Sequence, residues 1–300
     1  AASDVYKRQL YETTGSAGFT GGSCWVNELS VTSTYMTEEG LLSVVAENYT
    51  YYGGAHPNSV SRTWSFDLTT GEFLTLDALS SEEGNINGDS LQTSIYQNIV
   101  SQIDSQGLSE AYFDDYDSYL SDFPAFATFY FTATGMTVAF DTYIIAPYAA
   151  GPQVFDVPYS VFYSALNERA KTLLEVPQEQ IVLSDFDTAA TLWSWLFITT
   201  PPTEDTPDEM EINGYTYYQA DIPGVSTLAD MRELMYRYFD KALADRWLEE
   251  TERYAEANGR LYVLSADRGS NDSIMDETCS VALDGESGTV TQTVTYGEWD

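Results

Sequence analysis

The chain reads as an α+β protein. It predicts an antiparallel sheet with helices packed on one face, followed by a second, smaller α+β domain of cone-like layout. Three observations carry this. Residues 25–79 alternate apolar and polar side chains in runs bounded by turn residues, the period-two pattern of half-buried strands. Leu91, Ile95, Ile99, Val100 and Ile103 then recur at helical spacing. Beyond a proline- and acid-rich stretch at 199–208, a second strand–helix–strand pattern begins at Met210.

Taken in order, residues 25–35 and 40–52 are β-branched and aromatic, and a reversal follows at Gly53-Gly54. Residues 61–68 and 72–76 complete a meander around the turn Thr69-Thr70-Gly71, with one face expected to be buried. Asp89-Ser90-Leu91-Gln92 resembles a capping box and opens the first helix, which Gly107 closes. A second helical piece over about 109–120 carries the acidic cluster Asp114, Asp115 and Asp117. Strands are expected again at 126–131, 136–140 and 154–157, then one amphipathic helix from Pro158 to about Leu174. Residues 176–209 read as a linker with a short helix. In the second domain, 214–218 is a strand. Leu228, Met231, Leu234, Met235, Tyr238, Phe239, Ala242 and Leu243 predict one long helix, the longest of the chain. Strands at 260–264, 279–283 and 289–296 finish it, the last two joined by a hairpin turn at 284–288. The domain organisation is therefore 10–175, a linker at 176–209, and 210–300. Residues 1–9 resemble translated adapter sequence, so any signal, lipid anchor or membrane helix is expected in sequence missing upstream.

Charge narrows the function. The chain holds 47 acidic and 12 basic residues, a net charge of −35. Such a surface repels nucleic acid and anionic headgroups and attracts basic proteins. Arg62 is the only basic residue between Gln9 and Glu168, and most of the others follow Glu168. No apolar run reaches transmembrane length.

Two turns stand out: Tyr51-Tyr52-Gly53-Gly54-Ala55-His56-Pro57-Asn58 and Tyr143-Ile144-Ile145-Ala146-Pro147-Tyr148. His56 is the only histidine, yet no Gly-x-Ser-x-Gly elbow accompanies it. It reads as a turn or contact residue, and no catalytic residue is assigned. Cys24 and Cys279 show no Cys-x-x-Cys pattern, which argues against zinc, and leave a disulfide between them open. The stretches 85–89 and 267–272 resemble fragments of calcium loops but lack the glycine at position six and the glutamate at twelve, so no metal site is assigned. Neither a phosphate-cradling loop nor a dinucleotide fingerprint is present, and no cofactor is expected.

The two turns, with Phe66-Asp67-Leu68-Thr69-Thr70-Gly71-Glu72-Phe73 and Val157-Pro158-Tyr159, resemble the DUF3298 family over roughly 10–175. That family includes the extracytoplasmic domain of RsiV-type lysozyme-responsive anti-sigma factors and a region of PdaC-type peptidoglycan deacetylases. The resemblance implies a non-enzymatic, extracytoplasmic cell-envelope binding or sensor domain for a cationic partner such as lysozyme or a cell-wall hydrolase. Tyr51, Tyr52, His56, Asn58, Tyr143 and Tyr148 are the implied partner-binding residues. The alternatives are an accessory domain of a peptidoglycan-modifying enzyme, or a hydrolase using His56. Tyr217-Tyr218, Tyr238-Phe239-Asp240 and residues 259–263 are similar to the NTF2-like cone of IseA-type DL-endopeptidase inhibitors.

Overall fold

In the computed structural model, residues 26–52, 57–107, 109–265, 274–285 and 287–296 are described. They form a mixed α+β protein with antiparallel sheets, as the periodicities predict. Two compact units interleave along the chain. The first takes residues up to Leu79, Ile95–Pro158 and Arg169–Glu175, and the second takes Ser80–Ser94, Tyr159–Glu168 and Val176 onward.

In the first unit, β1 (Val26–Met36), β2 (Leu41–Tyr51), β3 (Asn58–Asp67) and β4 (Glu72–Phe73) form the expected meander in the order β1-β2-β3-β4. The single buried face is confined to β2 and β3. Most of the edge strand β1 is exposed, including Leu29 and Val31. A short helix α1 (Leu76–Leu79) follows, then α2 (Leu91–Gln106). The cap of α2 is Ser90 rather than Asp89: its hydroxyl accepts from Thr93 N–H at 3.1 Å. Leu91, Ile95, Ile99 and Ile103 are buried along one stripe, as their spacing requires.

The second helical piece is shorter than predicted. A 3₁₀ turn at Ser109–Ala111 precedes α3 (Tyr116–Ser121) and α4 (Phe123–Phe126). The second sheet of the unit is β5 (Thr128–Phe131), β6 (Gly135–Phe140) and β7 (Gln153–Pro158), in that order. At Gly135 the β5–β6 reversal passes so close to β7 that a Cβ would lie 2.1 Å from the Val157 carbonyl oxygen. Buried serines join the two sheets. Ser43 and Ser65 share a hydroxyl hydrogen bond across β2 and β3 (2.9 Å), and Phe131 N–H on β5 donates to Ser43 Oγ (3.0 Å). Both hydroxyls are thereby satisfied away from water.

The amphipathic helix expected from Pro158 to Leu174 is broken. α5 (Tyr159–Phe162) and a 3₁₀ turn at Tyr163–Ala165 precede α6 (Glu168–Leu174). Leu166 between them is extended and bridges to Ser80, and Asn167 Nδ2 donates to the Ser80 carbonyl (3.2 Å). A long-range backbone contact overrides the local helical period there.

In the second unit, the segment read as a linker with a short helix holds the longest helix, α7 (Gln178–Phe197), 20 residues. Its buried stripe runs Ser184, Thr188, Leu192, Trp195 and Leu196. Two of those positions are polar letters, which hid the helical period; Thr188 Oγ1 satisfies itself on the Ser184 carbonyl at 2.9 Å. Leu192, Trp195 and Leu196 belong to a core with Ile222, Val225, Met231, Met235, Leu248 and Val263. A four-stranded sheet covers that core in the order β10-β11-β9-β8: β8 (Glu209–Ile212), β9 (Tyr215–Gln219), β10 (Tyr254–Ala257) and β11 (Arg260–Leu264).

The predicted long helix is two helices, α8 (Leu228–Met235) and α9 (Lys241–Glu250). Thr227 and Asp230 form a capping box at the start of α8, and the Asp240 carboxylate accepts from Leu243 N–H (3.1 Å) to cap α9. The last two strands, β12 (Ile274–Asp284) and β13 (Ser287–Tyr296), pair with each other alone among the described residues rather than extending the sheet.

Candidate functional site

The first unit brings the two singled-out turns together. Tyr51 ends β2 and is half-buried, Tyr52 follows it at 61% exposure, and Asn58, exposed, opens β3 opposite Thr50. Tyr148 OH donates to the Pro57 carbonyl at 3.3 Å. Ser61 N–H on β3 donates to Asp141 Oδ1 at 3.0 Å. The loop 141–151 is thus held to the start of β3 by two hydrogen bonds across 80 and 91 residues of sequence. His56 lies outside the described residues, as does Cys24; Cys279 is a free, exposed thiol.

Tyr143 is the unusual member. Its backbone sits at φ 71°, a region that bulky residues rarely enter. Its ring lies against Tyr148 with centroids 5.4 Å apart, yet 59% of the residue remains exposed. A left-handed turn at Tyr143 presents an aromatic face to solvent instead of burying it, and such strain clusters at functional sites.

Sequence reading missed the third wall of this surface. Phe113 N–H donates to the Ile145 carbonyl (3.0 Å), which ties the acidic segment 110–117 to the same loop. Tyr112 OH donates to Gln153 Oε1 (3.1 Å), and Gln153 Nε2 bonds the Ala150 and Gly151 carbonyls. Glu110, Asp114, Asp115 and Asp117 are all exposed there. The acids were visible as a cluster; the backbone bond that places them beside Ile145 leaves no local signal.

Two phenols of the acidic side are shifted. Burial pushes the Tyr112 hydroxyl up from its ordinary value, and the hydrogen bond to Asp117 (2.8 Å) pushes up Tyr96. The loop and the segment tied to it carry an exposed tyrosine ring and exposed carboxylates.

Among the described residues no group of three or more His, Cys, Asp or Glu side chains is placed to hold a metal ion. The calcium-loop fragment at 85–89 is closed on itself: Asn85 Oδ1 accepts from Asn87 and Asp89 N–H (2.9 and 3.0 Å), and Asn85 Nδ2 reaches Asp89 Oδ2. The second fragment, 267–272, lies outside the described residues.

Residues 85–160 match the model of a family described as a protein of unknown function, DUF3298, so the chain carries a DUF3298 domain there. Crystal structures of two DUF3298 family members are similar to this chain. One, from Pseudomonas aeruginosa PAO1, has 17% identity and a TM-score of 0.37 over 55% of this chain and 69% of its own. The other, from Bacteroides fragilis NCTC 9343, has 20% identity and a TM-score of 0.38 over 56% of this chain and 64% of its own. No curated protein matches the chain.

Proposed function

We propose that the chain is a non-enzymatic cell-envelope binding protein, acting outside the cytoplasm, whose DUF3298 domain recognises a basic protein such as lysozyme or a cell-wall hydrolase. The observation that carries this reading is Tyr143, exposed in a left-handed turn with its ring tilted against the Tyr148 that clasps Pro57. The segment 110–117, with its exposed carboxylates, is tied to the same loop through Phe113 and Ile145, and Arg62 is the only basic residue between Gln9 and Glu168. Rigid tyrosines give contact area at low entropic cost, and the surrounding acids steer a cationic partner. The RsiV-type resemblance of the two turns supports the same partner class.

The test is calorimetric titration with lysozyme and with a basic wall hydrolase at low salt. Binding is expected to weaken by about tenfold or more between roughly 0.05 and 0.5 M salt. Tyr143→Ala and the double change Asp114→Asn/Asp115→Asn should each weaken it by about 5- to 30-fold. Absence of binding at low salt, or binding indifferent to both variants, would sink the reading. Turnover of peptidoglycan fragments that disappears in His56→Ala would replace it with a hydrolase.

A further inference from the structure

The β12–β13 hairpin presents a different kind of surface. One face lies against α7, with Val281, Val290 and Val294 half-buried. The other face is a lattice of exposed hydroxyls: Thr278 and Ser280 on β12, with Thr289, Thr291, Thr293 and Thr295 on β13. Among the described residues the outer edge of β13 has no partner strand. A long two-stranded ribbon is marginal by itself, and an unpaired edge is a template for another strand. Proteins guard such edges with charges, prolines or bulges. Another long edge, β1, carries Glu28 and a register shift between Val31 and Ser33. Residues 289–295 have neither charge nor proline, in a chain with 47 acids.

Those seven residues are also a palindrome. Thr289-Val290-Thr291-Gln292-Thr293-Val294-Thr295 reads the same in both directions about Gln292. Two copies laid antiparallel about a two-fold axis at Gln292 set Gln292 opposite Gln292, Thr291 opposite Thr293, Val290 opposite Val294, and Thr289 opposite Thr295. Every cross-strand pair is like with like, and each face continues across the seam. Alternate residues of β13 turn their N–H and C=O groups outward. The outward set is either 290, 292 and 294 or 289, 291, 293 and 295, and both sets map onto themselves about Gln292. A twofold interface requires this self-complementarity.

We propose that β13 is a self-pairing edge. Two copies of this chain join through antiparallel Thr289–Thr295 segments into a four-stranded sheet, β12-β13-β13-β12. The absence of charge on this strand matters because two chains of −35 repel wherever else they meet. Self-association through β13 therefore strengthens with added salt, opposite in sign to the capture of a basic partner, so the two ideas fail separately.

Sedimentation of the full chain over a range of concentrations tests this. A monomer–dimer equilibrium that shifts toward dimer between about 0.05 and 0.5 M salt is expected as the repulsion is screened. Thr291→Asp/Thr293→Asp places like charges directly opposite across the seam and should return the monomer. Mixed with a Thr291→Lys/Thr293→Lys chain, it should form a heterodimer, which a merely misfolded variant would not. In a Cys24→Ser/Cys279→Ser background, Gln292→Cys should cross-link to its own copy on mild oxidation, since opposed Cα atoms in a ladder are about 4.5–5.5 Å apart. A wild-type chain that stays monomeric at about 100 µM in high salt overturns the proposal. So does a dimer indifferent to the aspartates.

Discussion

The Asp67 carboxylate, buried at the end of β3, shows how a single residue couples distant parts of the first unit. The Thr69 hydroxyl holds it first. The Arg169 guanidinium on α6, 2.6 Å away, and the Thr69 N–H at 2.8 Å then add to that hold and bring it down to about 2. Its folded value lies below the ordinary carboxylate value near 4, so its contribution is fully present above that value. It is lost as the pH falls from about 4 toward 2. Asp67→Asn is therefore expected to be less stable than wild type at neutral pH, with the gap closing by about pH 2. Urea unfolding of both proteins across pH 2–7 checks this, and a gap that widens on acidification would contradict it. Arg169 stands 102 residues from Asp67, and neither neighbourhood has a pattern that announces the other. Tyr143 and Tyr148 were legible because proline and tyrosine crowd into a reversal. Asp141, Tyr112 and Gln153, which hold that reversal in place, were not.

Elements were legible wherever burial follows one strict period. The β1–β4 meander, the α2 stripe and the final hairpin stand where alternation or helical spacing put them. Continuity was the weaker inference. Both helices bury residues in the same core, but on α9 these are Ala244 and Leu248, while Ala242 of the apparent stripe is exposed. The break is visible only in Asp240, which caps the second helix. Asp240→Ala should cost about 1 kcal/mol, the usual worth of such a cap. Denaturant titration measures it, and an unchanged midpoint would show that packing alone starts α9. The converse error, reading α7 as a linker, arose because Ser184 and Thr188 occupy core positions that a hydrophobic pattern leaves blank.

At the scale of the whole molecule, charge was legible from composition, but its distribution required the structure. Among the described residues, four of the basic side chains concentrated in the C-terminal part are engaged locally. Arg232 pairs with Asp245 at 2.9 Å, Arg260 with Asp208 at 3.1 Å, Lys241 lies over the Tyr236 ring, and Arg253 bonds the Thr199 carbonyl. Exposed pairs of this kind contribute little stability, while the excess of carboxylates repels itself throughout the fold. The melting temperature is therefore expected to rise by a few degrees as salt increases from about 0.02 to 0.2 M, since screening shortens the reach of that repulsion. Scanning calorimetry across this range decides it, and a fall would mean that attractive pairs outweigh the excess.

The Tyr148 clasp carries a consequence for protein engineering. The β2–β3 register is complete from Leu41/Asp67 up to Thr50/Asn58, and Tyr148 anchors the backbone at Pro57 from outside the hairpin. The information that aligns these strands lies below residues 53–56. A foreign peptide that replaces residues 53–56 is thus expected to leave the strands in register, because nothing that aligns them is removed.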